Sequence, residues 1–166
     1  MLKTLCIVLF ALVFQSASAE TLLLTARPGE YSAGPIGDDA ETLSISTSFR
    51  ITAYDSGPDW PTAAHVGFFQ GENRNESFQF IIVRNDGNAP YLTAGYRIVE
   101  SGEEAHVKSL AYLGLDSSAI IELEFNKGVV TVKYGKQESF KVKTNLTRVT
   151  PYVSVSSGSA EFEMRP

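Results

Sequence analysis

Residues 118–143 read SAIIELEFNKGVVTVKYGKQESFKVK, and the alternation of apolar and polar residues in this stretch decides the fold. In the first of its three runs Ile121, Leu123 and Phe125 share one face, against Ile120, Glu122 and Glu124 on the other. In the second, Val130, Val132 and Tyr134 oppose Val129, Thr131 and Lys133. In the third, Phe140 and Val142 oppose Ser139, Lys141 and Lys143. A period of two sends successive side chains to opposite faces of a sheet, so the stretch reads as an antiparallel meander with one buried face. Asn126-Lys127-Gly128 suits a three-residue hairpin loop with glycine in the left-handed position, and Gly135-Lys136 suits a two-residue turn with glycine first. Glu122 and Glu124 stand where they can pair across strands with Lys133 and Lys141.

The same pattern extends upstream and downstream. Strands are expected at Glu20–Ala26 (on an edge), Thr42–Tyr54, Ala64–Gln70, Ser77–Arg84, Tyr91–Glu100 and Ala105–Leu113. After the meander, Pro151–Ser156 and Ser159–Met164 follow, with a turn at Ser157-Gly158 between them. Arg27–Glu41 carries three glycines and two prolines and reads as a loop. No segment of a dozen residues has a 3.6-residue apolar period. The fold class is therefore all-β: an antiparallel two-sheet β-sandwich of the jelly-roll type, forming a single domain over residues 20–166.

Residues 1–19 read as a cleaved signal peptide. Lys3 provides the positive start, LCIVLFALVF (residues 5–14) the short apolar run, and Ala17-Ser18-Ala19 the small-residue cleavage pattern. That run is too short to span a bilayer as a helix, and no later stretch is long enough. The product is expected to be secreted or periplasmic and not membrane-spanning. Cys6, the only cysteine, leaves with the signal, which excludes disulfides and cysteine-based metal or thiol chemistry. Cleavage also removes one of the 14 basic residues and none of the 19 acidic ones, taking the net charge from −5 to −6. With no basic cluster, nucleic acid is not an expected partner. Asn75 and Asn145 begin glycosylation acceptor tripeptides that matter only in a eukaryotic host.

Phe49-x-Ile-x-Ala53, HVGFF (65–69), SFQFIIVR (77–84), the IELEFNKGVVTVKYG hairpin and the closing PYVSVSSGSAEFE together resemble the concanavalin A-like lectin/glucanase superfamily, which includes laminin-G-type domains. The resemblance runs from Thr42 to Met164. It implies a curved front sheet whose concave face often binds glycans, but the fold hosts unrelated activities, so function must be argued from the site.

Two catalytic patterns are incomplete. A glucanase strand needs a nucleophile and an acid flanking the scissile bond. Here only Glu122-Leu123-Glu124 is present, with Asn126 or Lys127 where a third carboxylate would fall. Residues 91–97, YLTAGYR, are similar to a strand of alginate lyases, yet Arg50 stands alone and His65 lacks the accompanying Gln-x-His pattern.

A binding surface is better supported. Alternation sets Arg50, Tyr54, His65, Gln79, Tyr91 and Arg97 opposite the core-facing residues of their strands, and Trp60 lies between two prolines on a loop beside them. Aromatic rings stack on sugar C–H faces while guanidinium and amide groups hydrogen-bond hydroxyls, so these seven residues are the candidate ligand-binding set. Trp60 equally suits a cap on the core, and His65 and His106 suit structural roles better than ligand roles, since no second histidine stands at ligand spacing. No catalytic residue and no metal ligand is assigned. Calcium stays open, because Asp38, Asp39, Glu41, Asp55, Asp59 and the Asn85–Asn88 turn offer oxygens, none at the spacing of a complete calcium loop. Three classes of function follow: a non-catalytic module recognising a glycan or another extracellular surface, a polysaccharide-active hydrolase or lyase, and a structural or adhesion protein self-associating through sheet edges or Phe78–Val83.

Overall fold

A computed structural model describes residues 20–57, 60–71 and 74–165; the signal-peptide segment lies outside them. Ten strands follow one another: β1 (Glu20–Pro35), β2 (Thr42–Tyr54), β3 (Ala63–Gln70), β4 (Glu76–Val83), β5 (Tyr91–Glu100), β6 (Glu103–Gly114), β7 (Ala119–Asn126), β8 (Val129–Tyr134), β9 (Phe140–Lys143) and β10 (Thr150–Met164). Every pairing is antiparallel.

Two long strands join two layers. The first half of β10 (150–156) pairs with β3 and with Tyr31–Pro35 of β1, while its second half (158–164) pairs with β2 and with Glu20–Ala26 of β1. The front layer is thus β6-β5-β4-β3 followed by one half each of β10 and β1. The back layer is the other halves of β1 and β10 followed by β2-β7-β8-β9. The molecule is a jelly-roll sandwich, as the alternation implies.

The core lies between the layers. Ile121, Leu123, Phe125, Val130, Val132 and Val142 of the meander are buried, as are Val66, Phe68, Phe78, Phe80, Ile82 and Leu92 of the front layer. Rings meet across the gap: Phe68 on Phe125 at 5.9 Å, Phe80 on Tyr134 at 5.2 Å and Tyr96 on Phe140 at 5.7 Å between centroids. Each fully buried large apolar side chain stabilises the fold by roughly 1.5–3 kcal/mol, and each such ring pair by about 0.5–1.5 kcal/mol beyond its area.

Four details differ from the sequence reading, each for a local reason. Ser157-Gly158 does not reverse the chain. Ser157 (φ 47°) and Gly158 (φ 148°) bend one continuous strand from one layer to the other. Tyr31–Pro35, read as loop because of its glycines and proline, is a strand that borrows its ladder from β10. Asn126 pairs directly with Val129, so the hairpin loop has two residues; Lys127 (φ 46°) and Gly128 (φ 80°) are both left-handed, as a type I′ turn demands. β2 carries one extra residue at Thr52 between Ile51 and Ala53, which shifts the facing of everything beyond it.

Lys133 binds Glu122 at 2.7 Å, one of the two cross-strand pairs expected; Glu124 lies opposite Thr131. β4 sits in the middle of the front sheet, so Phe78–Val83 offers no edge for self-association. One of its apolar faces is core, and the other, Ile81 and Val83, faces the site described next.

Candidate functional site

The outward face of the front sheet holds a groove of about 650 Å³. Strand register builds its floor in rows. Ser154, His65, Ile81, Gly95 and Ser109 lie side by side across β10, β3, β4, β5 and β6. The next row along the strands is Tyr152, Gly67, Gln79, Arg97 and Val107, and the row on the other side is Ser156, Ala63, Val83, Thr93 and Tyr112. Alternation explains the composition: the residues between these, Val153, Val155, Val66, Phe80 and Ala94, are core.

Aromatic and charged groups form the walls. Trp60, held by a backbone bridge between Gly57 and Trp60, is 46% exposed at the groove, and Tyr31 of β1 is 41% exposed beside it. Arg97 is fixed by a relay across three strands. Its Nε donates to Gln79 Oε1 at 2.6 Å, Gln79 Nε2 donates to Ser77 Oγ at 2.9 Å, and Arg97 Nη1 lies 3.7 Å from Glu104 Oε2. Gln79 is buried, so the guanidinium is oriented by a group that itself cannot wander.

His65 lines the groove, and Tyr152 lies buried in the neighbouring row. His65 is 3% exposed, and burial, with the Arg97 charge second, drops its imidazole pKa to about 3, so it is neutral at ordinary pH. Burial also pushes the Tyr152 phenol far above its ordinary range. Tyr31 packs against His65 with ring centroids 6.3 Å apart.

Of the seven residues read from sequence, Trp60, His65, Gln79 and Arg97 come together here. Tyr91 lies on the same face by alternation, at one end, where it packs edge-on against the exposed Tyr112 at 4.9 Å. Arg50 does not join them. It projects from the outer surface of the back sheet and binds Glu161 at 2.9 Å. Nor does Tyr54: past the Thr52 bulge its ring turns toward the core, its hydroxyl donates to the Leu115 carbonyl at 2.6 Å, and Arg84 stacks on it at 5.2 Å. Tyr31 belongs to the site although sequence reasoning passed over it, and Tyr152 and Ser154 lie buried on the same face of the front sheet. The alternation of Tyr152, Ser154 and Ser156 with Val153 and Val155 was the available signal.

The other candidates lie elsewhere. Glu122 and Glu124 line a shallow depression on the outer surface of the back sheet with Ser44, Ser46, Thr131 and Lys133. Asp39 binds Arg148, which holds its carboxyl below the usual range, and Asp86 accepts from the Asn88 amide at 3.0 Å to close the Asn85–Asn88 turn. Among the described residues no three acidic, histidine or cysteine side chains gather as a metal set, and no helix is long and apolar enough to cross a membrane.

No family model and no curated protein matches the chain. Solved structures share its fold. The carbohydrate binding module CBM66 from Bacillus subtilis superposes with a TM-score of 0.57 at 9% identity, over 87% of this chain and 91% of that one. An alginate lyase from Alteromonas sp. 272 gives 0.53 at 11% identity, over 75% and 70%. A Saccharomyces cerevisiae protein of unknown function gives 0.53 at 8%, over 89% of each. At these identities the likeness establishes architecture alone: the chain has a jelly-roll β-sandwich fold, with a groove on its front sheet.

Proposed function

We propose that this is a secreted, non-catalytic recognition module that binds a glycan in the front-sheet groove. The observation that carries the reading is the meeting of two exposed rings, Trp60 and Tyr31, with an Arg97 guanidinium held by Gln79 over a floor of small and polar side chains. Rings supply flat apolar area at low entropic cost, and a fixed guanidinium supplies directed hydrogen bonds, which is the pairing a pyranose or furanose needs. That a carbohydrate binding module is among the proteins of the same fold supports the reading. So does the signal-like sequence of residues 1–19, which on this reading carries the protein out of the cytoplasm.

A lyase is the second reading, because His65, Gln79, Arg97 and Tyr152 share one face and an alginate lyase shares the fold. β-Elimination needs a base and an acid that reach the substrate. Against it, β-elimination also needs a group to hold the uronate carboxylate, and Arg97 is already engaged by Gln79 at 2.6 Å and faces Glu104 at 3.7 Å. Binding is favoured.

A glycan array with wild type and the variants Trp60→Ala, Arg97→Ala and Arg50→Ala tests the proposal. Signal on a subset of glycans that weakens about tenfold or more in the first two and is unchanged in Arg50→Ala is expected. Release of unsaturated uronate, read as ultraviolet absorbance from alginate or pectate, would replace it with the lyase.

A further inference from the structure

Three buried polar atoms on the groove side of the front sheet lack a hydrogen bond of full geometry: His65 Nδ1, Ser154 Oγ and the Tyr152 hydroxyl, although Tyr31 stands near enough to act on the Tyr152 phenol and the Ser154 backbone on the His65 ring. They are neighbours. Ser154 is directly opposite His65 across the β10–β3 ladder, and Tyr152 is two residues along β10 on the same face. The three residues are 3%, 0% and 0% exposed. Buried polar groups are nearly always paired, because an unpaired one forfeits its hydration with nothing in return. Three such groups side by side, beside a groove, are what a binding site leaves open for a ligand's own polar groups.

Their cover is made of side chains. Tyr31 lies against His65, and the Arg74 guanidinium stacks over Tyr31, Phe69 and Tyr152 at 5.8, 5.2 and 5.4 Å from their ring centres. Arg74 stands on the β3–β4 connection with a left-handed φ of 54°. A rotation of Tyr31 and Arg74 would open the cluster to the groove without disturbing a strand.

The charges at the groove indicate what enters. Arg97 faces Glu104 at 3.7 Å and is engaged by Gln79. The Lys108 ammonium turns the other way, over the Phe140 ring at 5.9 Å. A sugar carboxylate at Arg97 would therefore meet a compensated cation, and the Arg74 guanidinium is spread over three ring faces, whereas hydroxyls, which donate and accept, match an imidazole, a phenol and a serine.

We infer that His65, Ser154 and Tyr152 form a subsite beneath Tyr31 and Arg74 for the hydroxyl groups of an uncharged saccharide. The inference rests on the glycan reading of the groove and narrows it to neutral sugars.

Affinity electrophoresis through gels containing laminarin, xylan, galactan or dextran, against gels containing alginate or polygalacturonate, tests it alongside thermal melting. Wild type is expected to be retarded by at least one neutral polymer and by neither polyuronate. Ser154→Ala and Tyr152→Phe are expected to weaken that retardation at least fivefold with a melting temperature unchanged or raised, since both hydroxyls are buried without a hydrogen bond of full geometry. A lowered melting temperature with retardation intact would overturn the subsite and leave the hydroxyls as structural groups on ordered water only. Retardation by the polyuronates alone, or retardation abolished by Trp60→Ala but untouched by both hydroxyl variants, would overturn the subsite while the groove stands. No retardation of wild type in any gel would take down both.

Discussion

His65 is a residue whose ionisation the fold constrains strongly. Its imidazole ionises at about 3 in the folded protein and near the ordinary 6.5 in the unfolded chain. Between those values the unfolded chain binds a proton that the folded protein refuses, so stability is full above about pH 6.5 and falls as the pH drops toward 3. The slope from this one group is at most about 1.4 kcal/mol per pH unit. Urea midpoints measured from pH 7 to pH 4 should therefore decline more steeply for wild type than for His65→Gln. Arg50 and Arg97 show how far single residues were legible. Alternation assigned both correctly to the non-core face of their strands. It carries no information on which sheet a strand joins, and β2 joins the back one, so Arg50 ends beside Glu161 while Arg97 faces the groove. Tyr54 was misplaced for a different reason: the Thr52 bulge inserts one residue and changes the parity.

At the scale of elements, β10 holds the sandwich together, because it is the strand on which both layers close. Its bend requires glycine at position 158. A Cβ there would stand 2.2 Å from the Ala53 carbonyl oxygen and 2.9 Å from Thr62 Cγ2, in a backbone conformation that side chains seldom adopt. Gly158→Ala is expected to cost about 3 kcal/mol or more in urea unfolding, whereas Gly135→Ala, where φ is 59° but nothing crowds the site, should cost about 1 kcal/mol. Equal losses would show that the corner tolerates a side chain. The meander was the most legible element, since strict alternation leaves few other arrangements, although both turn lengths were misjudged: residues 135–139, not a two-residue turn at Gly135-Lys136, join β8 to β9. The second half of β1 was the least. Gly29, Gly34 and Pro35 argue locally for a loop, and only the long-range ladder with β10 makes Tyr31–Pro35 a strand. The site inherits that limit, because Tyr31 reaches the groove through this pairing alone.

For the whole molecule, the sandwich followed from short alternating strands without helices, whereas the groove is assembled from β1, β3, β4, β5, β6, β10 and the loop bearing Trp60. Contacts so distant in sequence leave no periodic trace. Trp60 provides a direct reporter, being the only tryptophan in the chain and standing half-exposed at the groove. The measurement that bears most directly on the account is a fluorescence titration of Trp60 with a glycan to which the protein binds on an array. A saturable change in emission, with a midpoint raised about tenfold or more in Arg97→Ala and unchanged in Arg50→Ala, is the expected result. Unaltered emission on saturating the protein with that glycan, or equal midpoints for Arg97→Ala and wild type, would contradict binding in the front-sheet groove.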